Sequence, residues 1–176
     1  MIVRRLDKDT SGLIICAYDD EALSFLANQF KERTAKKKYV ALVKGWPPSQ
    51  KGIIETRIGR DPRNGKTFTT VENGGKPAHS SYQVLRYYEG YALVLLGLKT
   101  GRTHQLRVHM KHIKCPIVGD PLYSQLDDKF PSATLMLHSR RLTILLPGNK
   151  EASTFVSALP ERFKKHLKAL KPVPKD

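Results

Sequence analysis

A chain of 176 residues with 40% hydrophobic side chains is long enough to bury a core as one domain and too apolar for a disordered tail. Its 31 Lys+Arg against 16 Asp+Glu leave a formal charge of +15, which favours a polyanionic partner and salt-sensitive binding. Nucleic acid fits better than a membrane surface, because no basic amphipathic membrane helix, lipidation signal, signal peptide or run of transmembrane length is visible.

Taken in chain order, residues 2–6 and 13–17 read as two strands flanking a polar loop. Lys8-Asp9-Thr10-Ser11-Gly12 is turn chemistry, since Asp and Ser bond their own backbone and Gly permits positive φ. Asp19 and Asp20 open a helix in which Leu23, Leu26, Ala27 and Phe30 recur at helical spacing through Arg33. Lys36-Lys37-Lys38 leads into a β-rich run over 39–45, stopped by Gly45 and Pro47-Pro48. Residues 53–60 and 67–71 form a hairpin whose turn signal is Asn64-Gly65. Two long strands, 79–88 and 91–98, flank Glu89-Gly90. Thr103 is placed to cap a helix carrying residues 104–112. Residues 135–146 return as a strand, and Pro160 opens a last helix with Phe163, Leu167 and Leu170 on one face. Many strands and few helices, without regular βα alternation, predict an α+β fold with a mixed, largely antiparallel sheet and flanking helices. Cys16 and Cys115, both in apolar contexts, read as reduced core thiols of a cytosolic protein, not as a disulfide framework or zinc site.

Three stretches carry candidate chemistry. Asp7 follows Arg4, Arg5 and Leu6 at a strand end, where a guanidinium can keep a carboxylate ionised for nucleophilic or base chemistry; a plain surface ion pair is the bland alternative. Residues 100–109, Thr-Gly-Arg-Thr-His-Gln-Leu-Arg-Val-His, place a glycine before a helix N-terminus, as anion sites do, but lack a nucleotide-binding P-loop signature. His104, His109 and His112 lack zincin spacing, so no metal is expected, and hydrogen-bonded packing is the better reading of His109 and His112. Tyr39, in a β-rich run, reads locally as core; its position after three lysines also suits stacking on an unpaired base.

Together and in this order, these motifs resemble those of the RluA-type pseudouridine synthases. The resemblance rests on Arg5-Leu6-Asp7 with Thr10-Ser11-Gly12, on the Lys38–Gly45 run, and on Thr100 through His109. Gly75-Lys76-Pro77-Ala78, Pro116 through Asp120 with Tyr123, and Leu137-His138-Ser139 also fit, so the likeness runs from residue 3 to about 165. It implies a cofactor-free isomerisation of uridine in ribosomal or transfer RNA, on a base flipped from its stack. Asp7 would be the catalytic aspartate, acting at ribose C1′, at uracil C6 or along a glycal path. Arg107 would pair with it, and Tyr39 would stack on the uracil and stand ready for proton transfer. Arg5 would fill the gap left by the flipped base, and Arg4, Lys38, Arg102, His104 and Gln105 would contact the RNA. Phosphate contacts are expected from lysines 36–38 and from Arg60, Arg63, Lys66, Arg140 and Arg141.

Arg4 stands where the family pattern has His. Family members usually carry a segment before the first motif, so the resemblance implies an N-terminally incomplete catalytic domain over 1–170, a frayed tail over 171–176 and an exposed sheet edge. The competing expectation is a catalytically compromised RNA-binding fragment or paralogue of the same fold. A metal-dependent nuclease is a poorer one, for want of clustered carboxylates.

Overall fold

Each residue from Tyr39 to Val43 is buried, so the run that follows the three lysines is a strand covered on both faces and forms the middle of the structure. A computed structural model describes residues 1–174. Its strands and helices, in chain order, are β1 (Ile2–Arg4), β2 (Ser11–Gly12), β3 (Ile15–Cys16), α1 (Asp20–Lys31), β4 (Lys36–Lys44), β5 (Lys51–Asp61), β6 (Asn64–Val71), β7 (Lys76–Tyr88), β8 (Tyr91–Leu98), α2 (Gln105–His112), β9 (Leu137–Ile144), β10 (Ser153–Val156) and α3 (Glu161–Lys168). The main sheet runs β10-β9-β4-β8-β7-β5-β6, antiparallel throughout, with β2 added parallel to β9. β1 and β3 form a separate antiparallel pair. The α+β class and the largely antiparallel sheet are as expected.

Two apolar clusters hold the site in place. The larger joins β4, β7 and β8 to Leu106 and Met110 of α2 and Phe163 of α3. The smaller packs Leu26 of α1 against Ala17 and against Leu142 and Ile144 of β9. α1 begins where its acids predict, with Asp19 accepting the Ala22 N–H at 2.7 Å.

Several local expectations are corrected. The 2–6/13–17 strands are shorter than expected, and the loop between them contributes Ser11 and Gly12 to the main sheet. The β5–β6 turn falls at Pro62-Arg63, ahead of Asn64-Gly65, with a bulge at Arg60/Asp61. Residues 153–156 form a strand that weak local patterning hid. α2 is not capped by Thr103: His104 is its N-cap, in left-handed backbone at φ 55°. Cys16 is exposed, because its short strand has no cover on that side; Cys115 is buried. Of the tail expected to fray, Lys171 and Val173 exchange backbone bonds with Glu89 and Tyr87; residues 175 and 176 lie outside the described residues. No helix among the described residues is long and apolar enough to cross a membrane.

Candidate active site

Strand β4 delivers Tyr39 to the site through an irregularity. Its register with β9 slips between Lys38, opposite Arg141, and Tyr39, opposite Ser139. The extra residue on β9, Arg140, makes this a bulge, which locally re-aims side chains. The Asp7 loop docks on the same place. Gly12 lies against Ser139 at φ +111°, where any Cβ would fall 2.2 Å from the Ser139 carbonyl oxygen, and Leu13 donates to that oxygen at 3.0 Å. Ser11 Oγ meets His138 Nδ1 at 2.8 Å and accepts from Arg162 at 2.7 Å. The loop closes on itself with Thr10 N–H donating to the Asp7 carbonyl at 3.0 Å. These bonds fix the loop to the sheet and leave Asp7 at its open end.

α2 brings Arg107. Its guanidinium makes a fork with Asp120, Nε to Oδ2 at 2.8 Å and Nη2 to Oδ1 at 2.7 Å. Asp120 is wholly buried and its Oδ1 also accepts the N–H groups of Leu122 and Tyr123. The remaining Nη1 lies 3.6 Å from Asp7 Oδ2. The expected Asp7–Arg107 pairing is therefore a charge contact just beyond hydrogen-bond length, and the tight partner is Asp120. Burial works against the Arg107 charge, but Asp120, with Asp7 beyond it, outweighs burial and holds the group above its usual range. Tyr123 completes this corner, its ring 5.1 Å from the Arg107 guanidinium carbon and its hydroxyl bonded to His104 Nδ1 at 2.7 Å and to the Phe68 N–H at 2.9 Å.

Asp7 and Tyr39 line one cleft of about 600 Å³, together with Arg4, Arg5, Arg102, His104 and Gln105. That volume lies in the range of sites that enclose a small organic group. Asp7 is the only carboxylate of its lining among the described residues. The Asp7 side chain is 31% exposed, Arg107 only 4% and Tyr39 6%. Burial first, and then the negative charge of Asp7, push the Tyr39 phenol up to about 12, so it is protonated at neutral pH. Ser139 stands close enough to Tyr39 to lower the phenol slightly against these two effects, and Thr10 Oγ1 in the Asp7 loop is buried without a hydrogen-bond partner among the described residues.

The other expected residues divide by what holds them. Arg5 is exposed at the cleft rim. Arg4 donates to the Gly101 carbonyl at 3.2 Å, and Arg102 Nε to the Pro77 carbonyl at 2.7 Å. His104 is held below its usual range, by burial first. Gln105 is a correction. Its amide accepts from Thr100 and the Arg102 N–H and donates to His79 and Ser80, so all its bonding capacity braces the Thr100–Arg102 turn and none is left for RNA. Lys38 lines the neighbouring cavity instead of the Asp7 cleft. His109 is packed as expected, bonded to Ser80 and Thr56 and lowered to about 4 by burial; His112 is exposed and not packed.

Sequence reasoning missed Asp120 as the anchor of Arg107, because nothing in a Gly-Asp-Pro loop announces a partner 13 residues upstream. It also missed the burial of Lys37, whose ammonium lies 5.2 Å from the Tyr39 ring centre. Period-two spacing from Tyr39 was the available signal. Among the described residues no group of His, Cys, Asp and Glu gathers as a metal site.

Comparison with known proteins identifies the family. The model of the family described as RNA pseudouridylate synthase matches residues 1–112, which include Asp7, Tyr39 and Arg107. The chain is 48% identical over 162 residues to the ribosomal large subunit pseudouridine synthase D of Borreliella burgdorferi, covering 92% of this chain and 49% of that one. It is 41% identical to an uncharacterized RNA pseudouridine synthase of Chloroflexus aurantiacus, covering 90% and 50%. The chain thus spans about half the length of these curated relatives. Among solved structures, human RNA pseudouridylate synthase domain containing 1 superposes with a TM-score of 0.81 at 32% identity, over 98% of this chain and 74% of that one. On these matches the chain belongs to the RNA pseudouridylate synthase family.

Proposed function

We propose that this chain isomerises uridine to pseudouridine within RNA, with Asp7 as nucleophile. The observation that carries the reading is the single, partly exposed carboxylate of the 600 Å³ cleft, facing a buried tyrosine and held by an arginine that is itself locked to a second carboxylate. In the reaction the N1–C1′ bond breaks, the uracil turns, a C5–C1′ bond forms, C5 releases its proton and N1 gains one. No electrons are exchanged, so the demands are to cut a glycosidic bond, hold the freed base and move a proton.

Asp7 supplies the nucleophile, at ribose C1′ or uracil C6. Arg107 presents its one uncommitted nitrogen, Nη1, to Asp7, a preorganised charge that needs no reorganisation during reaction. Tyr39 gives the uracil a stacking face. Its phenol is protonated and a weak donor while Asp7 is charged; once Asp7 is esterified, one of the two causes that raise its pKa is gone, so the phenol releases its proton more readily and the phenolate that accepts the C5 proton comes within reach. Arg5, at the rim, takes the space of the flipped base. Metal and organic cofactors have no part in this scheme. The name of the Borreliella relative, ribosomal large subunit pseudouridine synthase D, supports ribosomal RNA as the substrate; transfer RNA is the other candidate, and the cytoplasm is the proposed place of action.

Release of tritium from RNA labelled at uridine C5 tests the reading. Wild type is expected to release label without added metal, and Asp7→Asn to release none while binding the same RNA. Binding without release by wild type would instead support a binding module of the same fold, and shortened RNA a nuclease.

A further inference from the structure

A second cavity of about 620 Å³ adjoins the Asp7 cleft and shares with it Val3, Arg4, Leu98, Gly101 and Arg102. Among the described residues its lining holds eight lysine or arginine side chains and no carboxylate. Beyond the shared arginines and the buried Lys37, which lies against the Tyr39 ring, Lys31 and Arg33 come from the end of α1, Lys36 and Lys38 from the start of β4, and Lys99 from the turn after β8. None of these five side chains has a hydrogen bond or ion pair among the described residues. Arg33 is set at positive φ, 61°, as the chain reverses from α1 into β4, which brings the helix end and the strand start to one wall. Gathering like charges without partners costs stability, and an anion lying among them removes that cost.

The two arginines between the cavities are oriented. Arg4 is held by the Gly101 carbonyl and lies 5.8 Å from the Phe30 ring centre, and Arg102 is held by Pro77. Each keeps further N–H donors free. Other basic residues that the sequence singled out are partly spent inside the protein: Arg63 pairs with Asp61, Arg60 donates to Gly65, and Arg140 donates to Ser157.

We propose that this groove carries the phosphates of the RNA strand on one side of the target nucleotide, with Arg4 and Arg102 marking the passage into the Asp7 cleft. The inference rests on the RNA reading above for the identity of the polyanion. A polymer, and not a free anion, is the occupant because the charge continues without interruption into the cleft where the nucleotide reacts.

The test compares a groove variant, Lys31→Glu/Arg33→Glu/Lys99→Glu, with a control carrying the same charge change elsewhere, Lys150→Glu/Lys165→Glu/Lys168→Glu. The probe is a fluorescein-labelled RNA stem-loop with one loop uridine, and two shorter RNAs trimmed on either side of that uridine. The groove variant is expected to bind the full RNA about tenfold or more weaker than wild type, with a salt slope smaller by roughly 0.7 for each phosphate that is no longer neutralised. The control should bind less than about threefold weaker. Trimming one flank, and only one, should erase the difference between groove variant and wild type. Equal weakening in groove variant and control, or a difference that survives both trimmings, would overturn the proposal in favour of a diffuse field. Tritium release is followed in the same samples. Absence of release from wild type would count against the isomerase reading while the binding comparison still decides the groove.

Discussion

Arg107 spends its best bonds on Asp120, and that arrangement gives it a fixed position beside Asp7. Two strong, charge-assisted bonds to a buried carboxylate leave the guanidinium one geometry, so Nη1 is presented to Asp7 without the entropy of a free side chain. Arg107→Met should cut turnover by ~100-fold or more, in line with removal of one preorganised stabiliser, while RNA affinity changes far less. Stability should fall too, because Asp120 is left buried and unpaired; denaturant unfolding and single-turnover kinetics read the two effects separately, and equal reductions in turnover and binding would make Arg107 a phosphate contact. Lys37 gives a pH prediction. Burial, then the charge of Arg4, lowers its pKa to about 8, against an ordinary 10.5. Its charge is therefore present below about pH 8 and lost above, so RNA affinity should drop by roughly fivefold, ~1 kcal/mol for one cation contact, as pH rises from 7 to 9. Lys37→Gln should remove that step. The unfolded chain holds this proton more tightly, so the Lys37 contribution to stability improves as pH rises from about 8 toward 10.5. Asp7, Tyr39 and Arg107 joined in the sequence only through the ordered family motifs, since Tyr39 alone reads as core and Arg107 as one more helix cation; Asp120 and the burial of Lys37 depend on long-range packing that no motif states.

At the scale of elements, the site is assembled where β4, β9 and the loop between β1 and β2 meet. The bulge at Arg140 of β9 lies opposite Lys38 and Tyr39, and β2 pins the Asp7 loop to β9 at the same point. Gly12→Ala tests this joint. A methyl group would strike Ser139 backbone in a conformation that L-residues rarely adopt, costing at least ~2 kcal/mol, or roughly 4–8 °C in melting temperature. Tritium release should fall with it, as Asp7 loses its brace. Gly65→Ala, which meets nothing within 4 Å, should leave both unchanged. Long strands and α1 could be read from periodicity and capping. The two-residue β2, the short β10 and the left-handed start of α2 at His104 could not, because they exist only through their tertiary partners.

For the whole molecule, the charge of +15 is not spread evenly. The structure concentrates cations in a groove that runs into a cleft with one carboxylate. The sign of the partner was therefore legible in the composition, but its path was not, since Lys31, Arg33 and Lys99 are brought to one wall only by the fold. The central claim is that this cleft converts uridine with Asp7. Its most direct measurement is pseudouridine itself: RNA incubated with the protein in chelator, digested to nucleosides and resolved by liquid chromatography with mass spectrometry. Wild type should give a new peak of uridine mass at the retention of pseudouridine, and Asp7→Asn should give none at equal RNA occupancy. An unchanged uridine peak with wild type bound to its RNA, or pseudouridine formed equally by Asp7→Asn, would contradict it.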